Sequence, residues 1–109
     1  MTQGRANRAK SEAGASESRV WVLRLYVAGQ TPRSLTALAN LKAICERHLK
    51  GRSWIEVIDL LEDPERARAD QVFALPTLVR KRPPPVRKIL GDLSDIERVL
   101  AGLELGKPA

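Results

Sequence analysis

From residue 20 to 28 the chain reads V-W-V-L-R-L-Y-V-A, apolar on both alternating faces with Arg24 as its one intruder. Such a run predicts an interior strand covered on two sides. Gly29 and Gln30 end it, and Thr31-Pro32 supplies an N-cap followed by proline at the first helical position. Leu35, Leu38, Leu41, Ile44, Cys45 and Leu49 then recur at helical spacing as far as Gly51, predicting a helix over 32–50. Residues 54–60 form a second strand, parallel to the first because only a helix separates the two. Asp63-Pro64 opens a short charged helix over 65–70, and strands are predicted at 75–79 and 86–90. Ser94 with Glu97 three residues on reads as a capping box for a last helix whose apolar face is Ile96, Val99, Leu100 and Leu103. The predicted order is β-α-β-α-β-β-α.

Four of the seven prolines fall between Ala74 and Asp95. A proline cannot donate to a sheet ladder, so Pro76 opens a strand rather than crossing one. Pro83, Pro84 and Pro85 impose an extended, donor-free connector between the last two strands.

Composition narrows the setting. The chain of 109 residues holds one cysteine, so no intramolecular disulfide forms and a reducing cytoplasm is the expected location. No apolar segment has signal-peptide or membrane-spanning length. Residues 1–18 are Ala-, Ser-, Gly- and charge-rich, an expected disordered basic tail ahead of a single domain over 19–109. The net charge of +6 lies largely in that tail and in Arg80, Lys81, Arg82, Arg87 and Lys88. No aromatic residue is interleaved with this second group, and no nucleic-acid-binding spacing accompanies it, so a solvated or protein-binding basic face is expected.

The element order, with a proline opening the third strand, looks like a thioredoxin fold. Thioredoxin chemistry needs two thiols at the start of the first helix. That position reads Ala28-Gly29-Gln30-Thr31-Pro32, and Cys45 sits late on the apolar side of the helix, as a buried structural thiol. His48 has no second ligand at workable spacing and reads as a surface residue. Asp59, Glu62, Asp63 and Glu65 read as a solvated helix start rather than a cation site. Trp21 and Trp54 fit either core or surface anchor. Nothing points to catalysis, a metal or a cofactor.

Five segments in order, L-R-L-Y-V-A-G-Q-T-P-R-S (23–34), E-V-I-D-L-L-E-D-P (56–64), A-L-P-T-L-V-R (74–80), P-P-P-V-R-K-I-L-G-D-L-S-D (83–95) and V-L-A-G-L (99–103), resemble the KaiB family. The resemblance implies a non-enzymatic timing protein that binds the hexameric ATPase KaiC and modulates its phosphorylation cycle. It implies as further partners a KaiA-like protein, a clock-output histidine kinase that is displaced, and other copies of the chain in a dimer or tetramer. Neither nucleic acid nor membrane is implied. It also implies fold switching between a thioredoxin-like monomer and a resting form ordered β-α-β-β-α-α-β. On that similarity Leu61, Glu62, Asp63, Pro64 and Glu65 face the ATPase. Pro76, Pro84, Pro85, Gly91, Gly102 and Glu104 belong to the segment that rearranges. Trp21 replaces a usual tyrosine, and Glu56 and Gln71 replace familiar lysines, departures that bear on KaiA capture. The alternative is a thioredoxin-like interaction module in stress signalling, without circadian function.

Overall fold

Strand β1 (Trp21–Val27) lies inside a four-stranded sheet of order β2-β1-β3-β4 in the computed structural model, which describes residues 20–105. The expected disordered tail over 1–18, and residues 106–109, lie outside the described residues. β2 (Ser53–Asp59) runs parallel to β1 with Leu23 opposite Ile55. β3 (Thr77–Arg82) is antiparallel on the other side, Leu25 opposite Leu78, and β4 (Arg87–Leu90) pairs outside it, Leu78 opposite Ile89. Helix α1 (Pro32–His48), a 3-10 helix (Pro64–Arg68) and helix α2 (Ile96–Leu103) complete the predicted order. The C-terminal half is therefore a hairpin followed by a helix, the thioredoxin-like arrangement rather than β-β-α-α-β.

Because side chains alternate along a strand, β1 feeds two cores. Leu23, Leu25 and Val27 join Leu78 and Ile89 beneath α1 (Ala37, Leu41, Ile44) and α2 (Val99, Leu103). Tyr26 joins Ile58, Val79 and Val72 on the opposite face, where Leu60, Ala67 and Leu75 pack at the margin. Coverage on both sides is what the apolar run, broken by Arg24 alone, anticipated.

Several local expectations are corrected. α1 stops at His48, and Leu35 is 52% exposed, because its first turn is organised by polar groups. Ser34 points inward, its hydroxyl oxygen accepting from the Thr31 hydroxyl at 2.8 Å and from the Ala28 N–H at 3.2 Å. The cap of α2 is Asp95, which accepts from the Arg98 N–H at 3.2 Å, whereas the Ser94 N–H donates back to Asp92. The short charged helix is a 3-10 turn whose Asp63 makes no side-chain cap bond. β3 begins one residue after Pro76, and the Leu75–Pro76, Arg82–Pro83 and Pro84–Pro85 bonds are cis.

α2 packs tightly on β4 at Gly102, where a Cβ would lie 2.9 Å from Ile89 Cδ1 and 3.0 Å from Cγ1. Helix propensity favours alanine there by about 0.5–1 kcal/mol. Overlap with the buried Ile89 opposes it, so Gly102→Ala should be neutral or cost up to about 1 kcal/mol. Ile89→Val removes Cδ1, so a double-mutant cycle in urea should return a favourable coupling of about 0.5 kcal/mol or more. Strict additivity would show that this contact does not limit the position.

Candidate functional site

The segment leaving β2 is tied down at its start by Asp59. Its Oδ1 accepts from the Gly29 N–H and the Leu61 N–H, each at 2.9 Å, joining the β1–α1 turn to the chain beyond β2. Gly29 has φ +62°, and a Cβ there would stand 3.0 Å from Leu61 Cδ1, so this turn favours glycine. Leu61, Glu62, Asp63, Pro64 and Glu65 are all exposed, and beyond the 3-10 helix Phe73 is 93% exposed. An acidic stretch with uncovered apolar side chains at its ends can bind a partner.

The far end of the segment is held by a buried carboxylate. The Asp70 side chain is 2% exposed. It accepts from the Tyr26 hydroxyl at 2.6 Å, from Arg24 Nη1 at 3.2 Å and from Lys81 Nζ. Arg24 Nε also donates to Glu56 at 3.0 Å, as does Arg66 Nη2 on the 3-10 helix. Lys88 Nζ donates to the Gln71 carbonyl at 2.9 Å. All four strands thus reach this segment. Burial by itself would raise the Asp70 carboxyl, but the donors Lys81, Tyr26 and Arg24 outweigh it and hold it below its ordinary value. The Tyr26 phenol is pushed up to about 12 by burial and by Asp70. Arg66, then Arg24, keeps Glu56 below its usual range against modest desolvation.

Asp70 and the purpose of Arg24 were missed in the sequence. A cation inside an otherwise apolar strand is itself the signal, since it demands a buried anion on a neighbouring element.

The residues expected to belong to a rearranging segment divide between the two ends of the sheet. Pro76, buried, accepts from the Gly91 N–H at 2.9 Å, at the end where Leu61–Glu65 also lies. Pro84, Pro85 and Glu104 lie at the opposite end, where Arg80 reaches the Pro85 carbonyl at 2.8 Å and Glu104 at 3.4 Å. Arg80 corrects the expectation of a solvated basic face: its side chain is 2% exposed. Trp54 is 65% exposed, Trp21 packs at the margin of the main core, and His48 is half-buried. Burial pushes the Cys45 thiol up, against a smaller opposing effect of Ser53, which suits an inert core thiol. Among the described residues no cluster of three or more His, Cys, Asp or Glu could hold a metal ion, and no helix is long and apolar enough to cross a membrane.

Fold and site together define a thioredoxin-like α/β protein without a thiol pair, carrying an exposed acidic segment after β2. Solved structures agree on the fold. The N-terminal domain of Synechococcus elongatus SasA superposes with TM-score 0.67 at 20% identity, over 93% of this chain and 94% of that one. Chloroplastic thioredoxin z gives 0.62 at 20% identity, over 85% and 86%. The KaiB domain family model matches residues 24–105. "Circadian clock oscillator protein KaiB" of Prochlorococcus marinus is 51% identical over 83% of this chain and 76% of its own length. The protein of that name from a Nostoc strain is 54% identical over 80% and 81%. The chain belongs to the KaiB family. Its relatives bear the name of clock proteins, which supports a clock role.

Removing the Asp70 charge leaves Arg24 and Lys81 facing each other over a neutral amide. Asp70→Asn should cost about 2–3 kcal/mol in a urea melt at neutral pH, with both cations partly solvated. A carboxylate whose folded pKa is depressed contributes stability above its unfolded pKa of about 3.9 and loses it as pH falls through the lower folded value. The gap between wild type and Asp70→Asn should therefore close below about pH 4. An equal gap at both pH values would show that packing, not charge, sets the loss.

Proposed function

We propose that this protein is a non-enzymatic timing component that binds a KaiC-like hexameric ATPase as separate monomers and modulates its phosphorylation cycle. The observation that carries the reading is the exposed segment Leu61–Glu65, fastened by Asp59 at its start and followed by the Asp70 anchor, in a chain whose relatives are named clock oscillator proteins. A preorganised acidic segment loses little conformational entropy on docking, and its charges favour a basic partner surface. Displacement of a clock-output histidine kinase from the ATPase belongs to the same reading. Glu56 is committed to Arg24 and Arg66, which weakens the case for capture of a KaiA-like protein.

Fold switching belongs to the same reading, with Pro76, Pro84, Pro85, Gly91, Gly102 and Glu104 in the part that rearranges and self-association stabilising the resting form. The alternative, an interaction module in stress signalling, predicts an intact fold without affinity for the ATPase.

Glu62→Lys with Glu65→Lys should weaken the complex with the host's KaiC-like ATPase in the presence of ATP by about tenfold or more. Lys42→Glu with Lys50→Glu, also exposed, should change it little. Equal losses from the two pairs, read by size-exclusion chromatography or calorimetry, would remove Leu61–Glu65 as the docking face. No binding by the wild type, with the fold intact, would favour the alternative.

A further inference from the structure

α2 has eight residues, fewer than the roughly 12–15 that an isolated helix needs, so it depends on docking. Its N-terminal end is capped by Asp95, but its last turn contains no basic residue. It closes at Glu104 in the left-handed region, φ 62° and ψ 33°, a conformation that disfavours a side chain by about 1–2 kcal/mol. The C-terminal end of a helix presents unpaired carbonyls and partial negative charge, which a cation stabilises. Here that cation comes from another element.

Arg80 on β3 donates through Nη1 to the Leu103 carbonyl at 2.6 Å and through Nη2 to the Pro85 carbonyl at 2.8 Å. Its guanidinium carbon stands 5.2 Å from the centre of the Trp21 ring. Nε has no partner. Among the described residues its one carboxylate is Glu104, Oε1 at 3.4 Å, while Oε2 of the same group accepts from Arg87 of β4 at 2.8 Å. A buried cation is tolerated only where charge and hydrogen bonds compensate it. Arg80 therefore joins the end of α2, the triproline connector and the sheet.

We propose that Arg80 is a latch: it fastens the C-terminal turn of α2 to the β3–β4 hairpin, Glu104 closes it, and α2 detaches as a unit when either side chain is removed while the sheet and α1 stay folded. This rests on the geometry alone and holds whether or not the ATPase reading does. The Val99 and Leu103 side chains keep α2 on the core, and besides Arg80 the last turn has one further charged fastening among the described residues, the more exposed Arg87 on Glu104. Opening therefore begins there.

Hydrogen exchange of the full chain at neutral pH tests it. In Arg80→Met, amides of residues 100–105 should exchange about tenfold or more faster relative to those of 38–44 in α1. Glu104→Gln should act in the same direction but less, and Arg80→Lys should lie between wild type and Arg80→Met, since lysine keeps the charge without the fork. Equal acceleration of α1 and α2 in Arg80→Met, or none in either, would overturn the latch. Should Arg80→Met not fold, Glu104→Gln decides: selective acceleration of 100–105 supports the proposal, and unchanged exchange there overturns it.

Discussion

The interaction on which the sheet face away from the helices depends is the convergence of Tyr26, Arg24 and Lys81 on the carboxylate of Asp70. The face of the sheet away from the helices carries a small apolar core and, among the described residues, has only a 3-10 turn and a loop to cover it. So thin a layer contributes limited hydrophobic stabilisation. Charge-assisted hydrogen bonds to a desolvated carboxylate supply the remaining hold, with a directionality that apolar packing lacks. The exposed stretch before them is positioned as a consequence.

A second ionic anchor works on the other face. Arg80 and Lys81 are adjacent on β3, yet Arg80 reaches the end of α2 and Lys81 reaches Asp70. A strand sends neighbouring side chains to opposite sides. One basic run thus serves both covering layers, and Arg82, opposite Val22, is left exposed. β3 also sits between β1 and β4. It is the strand through which the acidic segment and the C-terminal helix are both fastened.

The two anchors differ in what they hold. Asp70 lies on a loop whose ends are tied to the sheet by several independent bonds, whereas Arg80 supports a short helix with a strained terminus. Local stability follows the number and quality of such ties, so the C-terminal helix is the easier part to release. That asymmetry fits the proposed function, in which one surface docks a partner and the C-terminal half rearranges.

Hydrophobic periodicity and proline placement by themselves determined the element order, the buried run of β1, the start of α1 at Thr31-Pro32, the strand opening after Pro76, and the absence of a thiol pair beside α1. These are local properties, set by backbone sterics and by the repeat of helix or strand. Pairing across the chain decided the rest. Arg24 and Asp70 are 46 residues apart, and Arg80 and Leu103 are 23 apart. The apolar run around Arg24 signals that a buried anion must meet it, but nothing near either arginine in sequence says which residue its partner is. The same basic residues look solvated until the sheet register directs each to a face, because the free energy of a buried charge depends on what the folded chain brings to it.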